Sequence, residues 1–279
     1  MGSGAVTMQA RRAARPWVGP VARLGMATKG VVYLLVGGMA LRAATGRGGR
    51  VEDTRGAVET VGRQPFGDGL LVALGAGLLL FALWRVMQAV LNLDGEHGWK
   101  GAGKRAGYAM SAAGYGGMAL VAFQLAAGER SSGGGSHVWA ARVLAQPFGA
   151  VLLGAVGIGV AVYGLVHLWH AVTAHFRKHM DLSQLGRRAQ TLVTWVGRAG
   201  TAARGVVFCV AGYHLVRAAA LTRPSEAKTS GGALRVLASG PHGDLLLGGT
   251  AAGLFLYGAF MLVQARLVRV PGSADGSGG

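Results

Sequence analysis

Two pairs of opposite charges recur at corresponding places in the sequence and could bind each other or an anion. Arg42 stands 26 residues before Asp68, and Arg217 stands 27 residues before Asp244. A third copy has Gln124 in place of the arginine and has also lost the acid. A charge in an apolar setting is costly unless it is paired, so this joint loss predicts an Arg–Asp pair within each charged copy. The pairs would be structural ties or snorkelling side chains. The alternative is an anion or substrate site at the outer mouth of the protein.

A second set of polar residues also recurs, with members one helical turn apart. This set comprises Arg85, Gln88, His167, His170 and Gln264. Residues three apart share a helix face, so His167 and His170 could hold a haem iron or a metal ion. Such a centre needs further ligands, whereas His175 and His179 fall in a basic segment where solvation explains them. We predict hydrogen bonds between helices and no cofactor, with a proton or ligand relay and a haem or metal centre as alternatives.

These polar residues occupy corresponding positions, which we call repeat columns, in the three copies of an internal repeat. Its downstream marks are Gln64-Pro65-Phe66-Gly67, Gln146-Pro147-Phe148-Gly149 and Gly240-Pro241-His242-Gly243. Its upstream marks are Arg23-Leu24-Gly25, Arg105-Ala106-Gly107 and Arg198-Ala199-Gly200. The spacing from arginine to proline is 42, 42 and 43 residues, which indicates three copies of one structural unit.

Each unit supplies two helices long enough to cross a bilayer. Only 14% of the 279 residues are charged, whereas soluble domains carry about 25%. The apolar runs cover 24–44, 68–92, 106–127, 148–173, 199–221 and 244–267, and each can span a hydrocarbon core of about 30 Å. The sequence therefore predicts an all-α integral membrane bundle of six helices. Two helices per unit give all units one orientation, related by a pseudo-threefold axis along the membrane normal.

The segments between the membrane helices also repeat. A short amphipathic stretch precedes each proline mark and predicts a helix on the outer leaflet, from which the chain turns into the bilayer. The basic segment 175–197 predicts an interfacial helix, or alternatively a partner-binding one. Lys29 and Arg204 are aligned with Ser111 and lie close enough to the inner surface to snorkel. Glycines such as Gly25 and Gly200 predict close helix packing.

The charge distribution predicts orientation and partners. The net charge of +17 lies mostly between the apolar runs, where Lys and Arg contact anionic headgroups, so nucleic acid is not a predicted partner. Lys and Arg are more numerous on the side of the two termini, which predicts cytoplasmic termini. We expect a bacterial inner (plasma) membrane protein that can form homo-oligomers or join a membrane-protein partner.

The runs around Arg23 and Arg198 and the Gln-Pro-Phe-Gly marks resemble a bacterial membrane family known as domain of unknown function 1206. The likeness spans nearly all of residues 17–268. Members of that family have three repeated helix pairs, so the resemblance implies the same fold here. The family has no established activity, and the third unit departs from it with Gly-Pro-His-Gly.

The repeat marks predict the following division. Residues 17–98, 99–174 and 198–268 form repeats 1, 2 and 3, residues 175–197 link the last two, and the disordered tails cover 1–16 and 269–279. Carboxylates are scarce, no nucleophile motif occurs and the single Cys209 cannot form an intrachain disulfide, so we predict no enzyme and no catalytic residues. We expect a structural or regulatory membrane subunit. The alternative is a small-solute or ion permease or channel, which polar columns around an open cavity would favour.

Overall fold

The computed structural model describes residues 3–46, 54–91, 98–129, 136–183, 185–228, 230–240 and 242–267. Within these ranges the chain is helical with no strand. The α helices are α1 (Ser3–Ala44), α2 (Thr54–Gly62), α3 (Gly67–Leu91), α4 (Gly98–Ala126), α5 (Ser136–Leu144), α6 (Gly149–Thr173), α7 (Arg187–Ala220), α8 (Ser230–Ser239) and α9 (Gly243–Leu267). Short 3-10 helices cover His175–His179 and Pro224–Glu226.

Six of these helices are long and apolar enough to cross a membrane, which confirms the predicted all-α fold with six spans. The spans are Gly19–Ala44, Gly67–Leu91, Gly101–Ala126, Gly149–Thr173, Arg187–Ala220 and Gly243–Leu267. Long apolar runs become helices because a helix satisfies its own backbone hydrogen bonds where water is absent. The first, third and fifth spans (α1, α4 and α7) each begin a repeat, and the second, fourth and sixth (α3, α6 and α9) each end one. Repeats 1, 2 and 3 therefore contain α1–α3, α4–α6 and α7–α9.

The short helices α2, α5 and α8 are the predicted amphipathic segments, and each packs one face against the bundle. Val58, Ala140 and Leu234 stand seven residues before the three prolines, and all are fully buried. The segments therefore close the outer end of the protein rather than resting on lipid alone. The packing of α8 places Leu234 in the interior of the bundle.

The chain makes the same corner after each short helix. Phe66, Phe148 and His242 have left-handed backbones, with φ of 62°, 62° and 59°. The glycine that follows each of them has an ordinary φ and serves another purpose. At Gly149, for example, a Cβ would clash with the carbonyl of Val143 in the preceding helix. Glycine is needed here for close approach, and the left-handed turn falls on the residue before it. At the first two corners that residue is an exposed phenylalanine, 91% and 85% accessible.

The membrane helices pack in a cyclic order of repeats. The most extensive contacts join α3 to α4, α6 to α7 and α9 to α1, so each repeat's last helix lies on the next repeat's first. Within repeats 1 and 3, α1 also packs on α3 and α7 on α9. Among the described residues of repeat 2, α4 and α6 have no comparable contact. A threefold arrangement requires this cyclic pairing, and the symmetry itself stays a prediction.

Small residues allow the close approach at the three junctions. A Cβ on Gly30 would lie 2.9 Å from the carbonyl oxygen of Gly258, and one on Gly205 would lie 2.9 Å from that of Gly164. At the third junction, between α3 and α4, Ala112 occupies the position that corresponds to Gly30 and Gly205. Ala82 occupies the position that corresponds to Gly164 and Gly258, and both alanines are buried. Helix backbones can therefore meet without intervening side chains.

The structure corrects the predicted boundaries in two places. Residues 175–197 do not form one interfacial helix: a 3-10 helix ends at His179, and α7 starts at Arg187 and runs straight into the span. Gly186 ends the non-helical stretch with an extended backbone. At the other end of the chain, α1 begins at Ser3, inside the tail predicted to be disordered, because Ala, Arg, Gln and Met favour helix there. The tail 269–279 lies outside the described residues.

Candidate functional site

The predicted outer charges do not pair as expected. Arg217 forms its ion pair with Glu226, at 3.5 Å between Nε and Oε2, and not with Asp244. Among the described side chains, no ion pair within 4 Å joins Arg42 to Asp68 either. All four residues of the predicted pairs are exposed, so each charge can be solvated without a partner. Gln124 is half-buried in the same column. A binding role for this outer layer stays a prediction.

The predicted inner polar residues divide into local pairs. Arg85 donates to Gln88 Oε1 at 2.8 Å, and its guanidinium lies 5.0 Å from the Phe81 ring centre. The ring of His170 stacks on His175 at 4.9 Å. Gln264 is half-buried. His167 points to the interior, where it meets Arg204, and the Nε of Arg85 is buried as well.

Lys29 and Arg204 are buried in the centre of the bundle, which makes the snorkelling prediction wrong. Their exposed fractions are 2% and 4%. Each stands six residues, or about 9 Å, along its helix from the arginine that marks the start of the repeat. Their helices pack on neighbours at this level, so the side chains extend between helices instead of along them. Among the residues whose side chains are described, no Asp or Glu is buried.

Six aromatic rings surround these two cations, and we call them the aromatic cage. Each repeat supplies two: one ten residues after the marker arginine and one sixteen residues after the proline. The cage consists of Tyr33, Phe81, Tyr115, Tyr163, Phe208 and Tyr257. One edge-to-face pair lies at each junction between repeats, namely Phe81–Tyr115, Tyr163–Phe208 and Tyr257–Tyr33, with ring centres 4.7, 5.1 and 4.9 Å apart. The cage thus follows the cyclic order of the helices.

The cage stabilises both cations through ring faces. The Lys29 ammonium lies 5.0 to 6.0 Å from the centres of four rings, those of Tyr33, Phe81, Tyr115 and Tyr257. The Arg204 guanidinium also lies near four ring centres, at 5.0 to 5.7 Å. It shares Tyr33 and Tyr257 with Lys29 and contacts Tyr163 and Phe208 in addition. A desolvated cation gains about 2 kcal/mol from such contacts, which is less than the several kcal/mol that burial costs it. The centre therefore keeps an uncompensated positive charge.

Arg204 is also the hub of the interior hydrogen bonds. Its Nη1 donates to Tyr257 at 2.7 Å and to His167 Nε2 at 3.2 Å. Its Nη2 makes longer bonds, to the hydroxyls of Tyr115 at 3.5 Å and Tyr163 at 3.4 Å. Its Nε is buried and has no hydrogen-bond partner among the described residues. The guanidinium therefore retains donor capacity and links α4 to α6, which hardly touch each other.

These bonds fix the state of His167. Its Nδ1 lies 3.0 Å from the Tyr163 carbonyl oxygen and must carry a proton to donate to it. Its Nε2 then accepts from Arg204, which requires a neutral ring. With both nitrogens engaged, His167 is a poor haem or metal ligand. No group of three or more His, Cys, Asp or Glu in the described part of the chain is placed to hold a metal ion.

A cavity of about 230 Å³ lies beside the cage, between α4 and α6. Tyr33, Ser111, Tyr115, Tyr163 and Arg204 line one part of it. The rest of the wall is apolar apart from glycine, and consists of Val36, Gly107, Met110, Gly114, Met118, Val160, Val207, Phe208, Leu234 and Leu254. Met110 lines the cavity and is 44% accessible, so the cavity wall reaches the protein surface at this residue.

The cavity exists because repeat 2 lacks a contact that the other repeats make. A Cβ on Gly25 would lie 2.6 Å from Phe81 Cα, and one on Gly200 would lie 2.5 Å from Tyr257 Cα. The same columns in repeat 2 hold Gly107 and Tyr163. Among the described residues, no atom of another helix lies within 4 Å of the position of a Cβ on Gly107. Repeat 2 therefore stays open at the level where its neighbours close.

The sequence contained a signal for this site that residue-by-residue reasoning missed. Lys29 and Arg204 share a repeat column, but their distance from the helix ends does not reveal that they are buried. The two aromatic columns, read from the same alignment, place six rings at the depth of those cations. Periodic aromatics beside a cation column indicate a buried cluster. Of the predicted site residues, His167 bonds to Arg204 inside the cluster, and Arg85 contacts the cluster at Phe81.

Six membrane helices in three similar pairs around a buried cationic cluster define a multi-pass membrane-like protein. The chain belongs to the family described as Domain of Unknown Function (DUF1206), which matches residues 24–92, 106–174 and 199–267. It is similar to the Uncharacterized protein YxxB of Bacillus subtilis (strain 168), with 36% identity over 251 residues, 90% of this chain and 91% of that protein. No solved structure matches the chain. Membership of this family supports the fold and assigns no activity.

Proposed function

We propose that the protein binds an anion within the membrane, at Arg204, in the cavity between α4 and α6. The observation that carries this proposal is a buried guanidinium on the wall of an open cavity, with no buried Asp or Glu among the described side chains. Lys29 adds a second positive charge in the same aromatic cage. An anion would offset both charges where the described chain supplies no buried acid. This role falls in the permease or channel class that the sequence analysis named as its alternative.

The cavity wall favours an anion over a cation. Aromatic faces attract cations, but here the protein's own Lys29 and Arg204 already occupy them. The groups left for a bound molecule are N–H and O–H donors: Arg204, Ser111, and the hydroxyls of Tyr33 and Tyr163. Donors and positive charge in a desolvated setting select negative groups. The proposed role is non-enzymatic. We propose the location that the sequence predicts, a bacterial inner membrane with cytoplasmic termini, where the basic flanks of the protein would contact anionic headgroups.

A structural or regulatory membrane subunit is the second candidate. The observation in its favour is the close backbone packing at Gly30–Gly258 and Gly164–Gly205, which suits a rigid scaffold. Such a scaffold would need no accessible cationic cavity. Access to Ser111 therefore separates the two candidates.

Cysteine labelling tests the proposed anion site without knowledge of its natural ligand. In a Cys209→Ala background, Ser111→Cys places the sole thiol on the cavity wall. Methanethiosulfonate reagents of similar size, one with a sulfonate and one with a trimethylammonium group, are compared in purified full-length protein in neutral detergent. We expect the anionic reagent to react at least about tenfold faster, since two cations raise its local concentration.

Two controls accompany this test: one moves the thiol to the exposed face of the same helix, and the other removes the charge of Arg204. Leu120→Cys, on the exposed face of α4, should show no such preference. Arg204→Gln should reduce the preference at Ser111→Cys, and circular dichroism reports whether that variant folds. Equal rates for the two reagents with Arg204 intact, or no reaction until the protein is denatured, would overturn the proposal.

A further inference from the structure

We infer that the ligand of this site is an anionic amphiphile: a carboxylate or phosphate head on an acyl chain, entering sideways from the bilayer. This inference rests on the proposed anion site and names its ligand class. Three features of the cavity support it: where it opens, how polarity changes along it, and how large it is.

The mouth of the cavity faces the lipid. The cavity lies between α4 and α6, two membrane spans that make no extensive contact among the described residues. Met110 lines the cavity and is 44% accessible. On α6, the outward residues Ile158, Val162 and Leu165 are apolar and at least 50% accessible. In the bilayer, a ligand that uses this mouth comes from hydrocarbon, where an amphiphile is far more abundant than a small hydrated anion.

Polarity changes along the cavity in the direction that a lipid would require. Ser111 and Arg204 share one repeat column near the predicted inner side. Met118 lies seven residues further along α4, about 10 Å deeper in the membrane. Val36 shares the repeat column of Met118, and Leu254 and Leu234 complete an apolar end. A head at Arg204 and a chain pointing to the bilayer centre is the orientation of an inner-leaflet lipid.

The size of the cavity limits what enters it. Sites for complete drug-sized ligands are about 300–1,000 Å³, so 230 Å³ accommodates a head and the first part of one chain. The remainder would leave the cavity past Gly114, which is exposed between Ser111 and Met118, and extend into the bilayer. Two sources share this chemistry: a free single-chain fatty acid and one chain of an anionic phospholipid.

Protection of the Ser111→Cys thiol tests the inference. The probes are palmitate, phosphatidylglycerol, acetate, and a hexadecyl trimethylammonium salt, each added in neutral detergent before the anionic reagent. We expect palmitate, phosphatidylglycerol or both to slow labelling at least about tenfold, and we expect no such protection from acetate or the cationic amphiphile. Protection by palmitate alone identifies the free acid as the source, and protection by phosphatidylglycerol alone identifies the membrane lipid.

A second variant tests the contribution of the acyl chain separately from that of the anionic head. Met118→Trp fills the apolar end and should reduce protection by the amphiphile about tenfold. Leu120→Trp, two residues away on the exposed face of α4, is the matched control and should keep both the protection and the anion-selective labelling at Ser111→Cys. Equal protection by acetate, equal protection by the cationic amphiphile, or no protection at all would overturn the ligand class. The anion site would still stand in each case if labelling stayed anion-selective.

Discussion

Repeat 2 differs from repeats 1 and 3 at residues that the three have in common. Gly25 and Gly200 each lie against the backbone of the partner helix in their own repeat. Gly107 occupies the same column and has open space before it. The glycine is necessary for close packing but does not cause it. What differs is the neighbourhood, where Arg204 of repeat 3 bonds to Tyr115 and Tyr163 and lies between the two helices.

The comparison also concerns charge. Repeats 1 and 3 each place a cation in the aromatic cage, whereas repeat 2 supplies Ser111 and two tyrosines. Three cations at this depth would have no buried acid to balance them in the described chain. One neutral repeat thus limits the repulsion and leaves a wall of hydroxyls facing a cavity. The repeats share the residues that build the fold, and they differ at the residues that form the candidate site.

The strongest test of the comparison substitutes alanine in the shared glycine column. Gly25→Ala and Gly200→Ala should each lower the free energy of unfolding by about 2–3 kcal/mol, since the new methyl meets backbone that cannot move aside. Gly107→Ala should change it little or raise it by up to about 1 kcal/mol through better helix propensity. Sodium dodecyl sulfate titration followed by circular dichroism measures all three. Equal losses in the three variants would show that repeat 2 closes like the others.

A charge transplant gives the next largest effect. Ser111→Lys brings a third cation to the cage and should lower the free energy of unfolding by about 2 kcal/mol. Ser111→Met, of similar size, should cost less. In the double variant Lys29→Met/Ser111→Lys, at least half of the loss should return, because the like charges couple within one cluster. Additive effects in this cycle, measured by the same titration, would mean that the two positions do not share an environment.

The smallest effect belongs to the outer charges. Glu226→Gln removes the partner of Arg217 and should cost about 0.5 kcal/mol at low salt, because the pair is partly exposed to solvent. The loss should disappear at about 1 M salt. Asp244→Asn should have no effect at either salt concentration. A larger cost for Asp244→Asn than for Glu226→Gln would restore the pairing that the sequence predicted.

The sequence predicted what depends on one repeat at a time. Apolar length predicts the six spans, and the amphipathic stretches before Pro65 and Pro147 predict the short helices. It failed where several helices meet. The depth of Arg204 along α7 allowed snorkelling, and only the packing of α1, α6 and α9 around it shows that it cannot. Likewise, Arg217 lies closer to Glu226, on a short 3-10 helix that periodicity does not predict, than to Asp244.

The packing of α1 against α9 has a consequence for synthesis at the ribosome. The first span's most extensive partner is the sixth span, so Gly30 has no Gly258 to meet until the five later spans have been made. Lys29 likewise waits for Tyr257, the latest of its four rings to emerge. An early intermediate must therefore hold an ammonium in hydrocarbon without its full shelter, or delay the first span at the membrane surface. Closure of the bundle therefore cannot precede synthesis of the sixth span.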